Sequence, residues 1–144
     1  MTLKLFKAVW FFSVLVVLVN LLYVYASLPE VVVVQEHEQV LIGREWLFYV
    51  LVFFIVVVNS LVYLFKWLFP EGESVRAWFH GFIITVNIYA VIALHALNVY
   101  NSHENFDHSR VAPLITGSLI LLVVWAASWP VYRVFQRIFI KQAV

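Results

Sequence analysis

The sequence predicts an all-α integral membrane protein, a bundle of four spanning helices with both termini on the cytoplasmic side. Three observations carry this expectation. Apolar residues gather into four runs, near residues 8–26, 46–69, 77–98 and 112–132, each close to the roughly 20 residues that cross a hydrocarbon core of about 30 Å. Hydrophobic residues make up 65% of the chain and charged residues 12%, whereas soluble domains carry about a quarter charged. The basic residues are also unevenly placed. Lys4, Lys7, Lys66, Arg76, Arg133, Arg137 and Lys141 fall on one side of the runs, and only Arg44 and Arg110 on the other. Basic residues concentrate in cytoplasmic loops, so the first side is expected inside.

At 144 residues the chain has the size of one domain. It contains no cysteine, which excludes disulfides, thiolate metal sites and a cysteine nucleophile. No glycine-rich phosphate loop is present, and no basic tract interleaves with exposed aromatics, so nucleotide and nucleic-acid binding have no support.

The first run, Ala8–Ala26, follows Lys4 and Lys7. A basic start before an apolar core also describes a signal peptide, but a run this long suits a span and is expected to be retained. Residues 28–44 are mixed. Four consecutive valines, Val31 to Val34, favour extended chain over helix, and a short strand-like or interfacial stretch is expected, with Gly43 turning into the second span. Pro70-Glu71-Gly72-Glu73-Ser74 breaks the chain after that span, and Ser74 has the chemistry of an N-cap for the third. A polar loop, Tyr100–Arg110, precedes the fourth span, whose first turn should hold Pro113. Pro130 is placed to kink its exit. Beyond Tyr132, Arg133, Arg137 and Lys141 recur every fourth residue among apolar neighbours, the pattern of an amphipathic extension in the headgroup region.

The third run carries the sharpest pattern. At 100° per residue, His80, Asn87 and Asn98 fall within about 20° of one another and His95 about 60° away. Polar groups are costly in hydrocarbon, so this stripe should turn toward other helices. Asn59 in the second span and Asn87 lie about 15 Å from the same membrane face, counted along their helices, so their carboxamides should meet. Asn20 supplies a third such group in the first span. His80 and His95 are about 22 Å apart along a helix, a separation that suits two stacked haems, but the other spans contain no histidine to ligate from the opposite side. No haem, metal or other cofactor is therefore expected. Small residues on the third run (Gly81, Ala90, Ala93, Ala96) are too scattered to define one close contact, whereas Gly117 and Ser128 share a face of the fourth.

His37, His103, Glu104, Asp107 and His108 crowd the outer segments beside Glu36 and Glu38. Their spacing fits no zinc motif, so an acidic, solvated rim is expected, with a partner-docking surface as the alternative. No serine, threonine or lysine stands beside a base in a catalytic pattern.

The run Tyr25-Ala26-Ser27-Leu28-Pro29-Glu30, a first span ending in Leu-Pro-acid before a short outer stretch and a second span, resembles a widespread bacterial family of uncharacterised membrane proteins. That family includes the immunity protein against the sporulation-delay toxin. The resemblance covers residues 1–65, and the chain departs from the family pattern at Val33, Gln35 and Glu36. It implies a non-enzymatic protein of the bacterial inner membrane that acts through protein partners. An accessory subunit of a larger membrane complex fits the same residues, and the alternative is a bundle binding haem or a polar ligand on the stripe of His80, Asn87, His95, Asn98 and Asn59.

Overall fold

The computed structural model describes residues 1–35, 40–102 and 108–141. In chain order these form α1 (Thr2–Ser27), β1 (Val31–Gln35), β2 (Val40–Gly43), α2 (Arg44–Leu68), α3 (Glu73–Asn101) and α4 (His108–Lys141). All four helices are long and apolar enough to cross a membrane. With 34 residues, α4 is about 51 Å long at 1.5 Å per residue, well beyond a core of about 30 Å. The extension expected after Tyr132 continues this one helix. Pro130 lies inside it, and contacts that straddle the proline hold both sides together: Trp129 packs on Tyr132 at 5.8 Å, and the Arg133 guanidinium lies 5.4 Å over the Trp129 ring.

Two helix starts differ from expectation. The N-cap of α3 is Gly72, with no side-chain cap, so Ser74 lies inside the first turn. Pro113 is the sixth residue of α4, because the helix begins at His108 within what composition marked as loop.

The four valines form β1 as expected, but β1 does not stand alone. It pairs antiparallel with β2, Val31 opposite Gly43, Val32 opposite Ile42 and Val33 opposite Leu41. An isolated two-stranded hairpin is marginal, and this one is tied down at its base. The Arg44 amide donates to the Glu30 carbonyl at 2.9 Å, its Nη1 donates to the Leu28 carbonyl at 3.0 Å, and its guanidinium lies 5.0 Å over the Tyr25 ring. Val32 is fully buried and joins a cluster with Val17, Leu21, Val24, Leu28, Ile55 and Leu94.

The bundle is organised around α3. Residues Val17, Leu21 and Val24 give α1 one buried stripe, and Ile55, Asn59 and Val62 give α2 another. By contrast α3 buries residues on several sides, among them Ala77, His80, Gly81, Ile83, Asn87, Leu94 and Asn101. It packs against α1, α4 and α2 in turn, whereas α2 and α4 stand apart with α3 between them. Met1, the α2–α3 turn and the end of α4 gather at one end of the molecule. The hairpin meets Asn101, at the last turn of α3, at the other.

Candidate functional site

The two carboxamides expected to meet do so. Asn59 Nδ2 donates to Asn87 Oδ1 at 3.0 Å, and Asn87 Nδ2 donates back to Asn59 Oδ1 at 3.0 Å. Both residues are buried, at 7% and 2% exposure. Each carboxamide also bonds outward. Asn59 Nδ2 donates to the Ile55 carbonyl one turn earlier at 2.9 Å, and its Oδ1 accepts from the Trp10 indole at 3.0 Å. Asn87 Nδ2 donates to Ser13 Oγ at 2.8 Å, and Ser13 Oγ donates to the Trp10 carbonyl at 2.7 Å. The network thus joins α1, α2 and α3. A carboxamide has two N–H donors and two acceptor lone pairs. Asn59 uses all four and Asn87 all but one lone pair on Oδ1.

The sequence places Trp10 with Trp67, Trp78 and Trp129 in an aromatic belt near the inner interface, and neither it nor Ser13 was expected in this network. The signal that could have found them is their spacing: three residues apart, they share one face of α1.

His80 borders this network without entering it. It is buried, its Nδ1–H donates to the Arg76 carbonyl at 2.7 Å, and its ring meets Trp10 edge-on at 5.7 Å. His95 lies elsewhere. It is exposed and lines a groove with Asn20 and Arg110, so the two histidines do not face a common cavity. Asn98 is half-buried and makes none of these bonds. The stripe therefore divides. The centre of the α1 contact holds His80 and Asn87, and the 60° offset of His95 carries it past the edge of α1.

A second polar contact was not foreseen. Asn101, which the sequence places within a polar loop, is buried at the end of α3. Its Oδ1 accepts from the Val33 amide at 2.8 Å and its Nδ2 donates to the Val33 carbonyl at 3.1 Å. A third bond from Nδ2 to the Leu97 carbonyl, 2.9 Å, fixes the side chain.

The close contact between α3 and α4 also falls where the sequence did not place it. Trp78 Nε1 donates to the Trp125 carbonyl at 2.9 Å, and Trp125 Nε1 donates to the Trp78 carbonyl at 3.0 Å. The Trp125 indole lies on Gly81: a Cβ there would approach its Cζ2, with Cε2 at 2.6 Å and Nε1 at 2.8 Å. Gly81 is thus the close-approach residue, and at Gly117 a Cβ would meet nothing within 4 Å. The tightness at Gly81 comes from the large side chain that opposes it, and Trp125 is 44 positions away in the chain.

Of the outer-face candidates, His37, His103, Glu104 and Asp107 lie outside the described residues. His108 opens α4, and its side chain is likewise outside what is described. Among the described residues no group of three or more His, Asp or Glu stands close enough to hold a metal. Comparison with protein-family models, curated proteins and solved structures returns no match. Chemically, the central network can hold three helices in register. It sets no nucleophile against a base and keeps almost no donor or acceptor for a ligand.

Proposed function

We propose that the chain is a small non-enzymatic protein of the bacterial inner membrane, with both termini cytoplasmic. It acts through other membrane proteins, as an accessory subunit or as an immunity or sensor protein of the resembled family. The carrying observation is the network of Trp10, Ser13, Asn59 and Asn87, whose hydrogen-bonding capacity is spent on holding helices together. A protein that uses its central polar groups for packing has its outer surface left for function. That surface is broad. Phe11, Phe12, Phe53, Phe54, Val123 and Val124 are among the large apolar residues exposed on α1, α2 and α4, where lipid or partner helices would cover them.

The same geometry supports the orientation. Lys4, Lys7, Arg76 and Arg133 belong to the end where Met1, the α2–α3 turn and the end of α4 gather, and basic flanks face the cytoplasm. Reporter fusions at Val144 and within residues 70–72 are expected to read cytoplasmic, and one at Asn105 to read outside. A periplasmic Val144 would refute the orientation. Purification from native membranes in mild detergent is expected to recover a stoichiometric membrane-protein partner. A protein that elutes alone from every mild extraction would count against the partner role. The purified protein is expected to show no Soret band, since the other spans contain no histidine to ligate a haem opposite His80 or His95.

A further inference from the structure

A cavity of 870 Å³ opens at the end of the molecule where the α2–α3 turn meets the last turns of α4. Glu71, Glu73 and Ser74 line it from the α3 side, and Trp129, Tyr132 and Arg133 from the α4 side. None of these charged groups is used by the central network. Among the described residues, no ion pair joins either carboxylate to Arg133 or to another cation.

The fold keeps the opposite charges on opposite walls. On the α4 side, Trp129 stacks on Trp78 with ring centroids 6.1 Å apart, and the Arg133 guanidinium lies 5.4 Å over the Trp129 ring. That contact sets the cation on its wall. Across the gap, the Glu73 amide donates to the Glu71 carbonyl at 3.0 Å, so both carboxylates spring from one tight turn. The cavity has two poles. A simple cation would satisfy one wall and a simple anion the other, whereas a ligand that carries both charges satisfies both. The indole and phenol rings of the α4 wall are of the kind that sits at headgroup level.

We propose that this cavity holds a phosphoethanolamine group, as the headgroup of a phosphatidylethanolamine in the inner leaflet. The primary ammonium donates to Glu71 and Glu73, which a quaternary ammonium, having no N–H, cannot do. The phosphate accepts from the planar fork of Arg133. The choice of leaflet rests on the orientation proposed above. The site itself does not, because either orientation leaves this end of the helices at a membrane surface.

The test uses the full-length protein, delipidated in mild detergent and titrated with single lipids, with bound copies counted by native mass spectrometry. Dioleoyl phosphatidylethanolamine is expected to bind as one tight copy. Dioleoyl phosphatidylcholine and dioleoyl phosphatidylglycerol should each bind about tenfold more weakly, as loss of a charge-assisted bond would give. Glu71→Gln combined with Glu73→Gln should bring phosphatidylethanolamine down to the level of phosphatidylcholine and leave phosphatidylcholine unchanged. Arg133→Gln should weaken both. All three side chains are exposed, so an unchanged thermal midpoint is expected in each variant and separates loss of the site from loss of the fold. Free phosphoethanolamine distinguishes the sources. Tight binding of the lipid supports the headgroup, whereas binding of the free compound alone would keep the site and overturn the lipid. Equal binding of phosphatidylethanolamine and phosphatidylcholine, tighter binding of phosphatidylglycerol, or a preference that survives the double glutamine variant would overturn the proposal. Binding is read in detergent, so a Val144 fusion that reads outside would refute the orientation and leave the site standing.

Discussion

α3 is joined to its neighbours in two different ways. Toward α1 and α2 it is held by side chains that bond side chains, Asn87 with Asn59 and Ser13. Toward α4 it is held by two indoles that bond backbone carbonyls across a glycine. Both joints are made of hydrogen bonds between named groups rather than of apolar burial alone. The first depends on matched donors and acceptors and tolerates small changes of shape. The second depends on the absence of a single Cβ and tolerates loss of a hydrogen bond better than added volume. Sensitivity should therefore run to chemistry on one side of α3 and to volume on the other.

The largest effect should come from volume. Gly81→Ala places a methyl against the Trp125 ring, and overpacking of this kind costs about 1–3 kcal/mol. Thermal unfolding in detergent should show the loss. Trp125→Leu should cost less in the Gly81→Ala background than alone, because the added methyl then meets empty space. Additive effects would mean that the indole does not seat on Gly81. Next come the carboxamides. Asn59→Leu and Asn87→Leu should be non-additive in a double-mutant cycle, with a coupling of about 0.5–1.5 kcal/mol. A coupling near zero would dissolve the reciprocal pair. Smaller again, Trp78→Phe removes one of two indole bonds and should cost about 0.6 kcal/mol, less than Gly81→Ala. The reverse order would contradict the contrast between the joints. Smallest in global stability is Asn101→Ala, whose effect should be local: the Val33 amide, now held at 2.8 Å, should exchange with solvent faster while the core helices stay protected.

The four helices and the Asn59–Asn87 meeting were legible because they depend on run length and on depth counted along a helix, both properties of local sequence. β2 was not. Its apolar core is three residues, Val40 to Ile42, too short for an alternation to register, and no Asn-Gly or Asp-Gly turn announces a hairpin. Gly81 and Trp125 were visible singly but not as a pair, since nothing in either neighbourhood encodes the other. Asn101 was hidden by composition, because a buried polar residue at a helix end looks like the start of a polar loop. His95 shows the limit of a helical wheel. It stands 60° from His80, and whether 60° stays within a contact depends on the width of the opposing helix.

The grip of Asn101 on Val33 has a further consequence, for what the hairpin can recruit. A two-stranded ribbon ordinarily offers an incoming strand two rows of unpaired amides and carbonyls. Here a carboxamide from α3 occupies the middle of the β1 row, presenting one donor and one acceptor as a neighbouring strand would. A strand added on the β1 side, from a second copy or a foreign chain, would first have to displace that carboxamide.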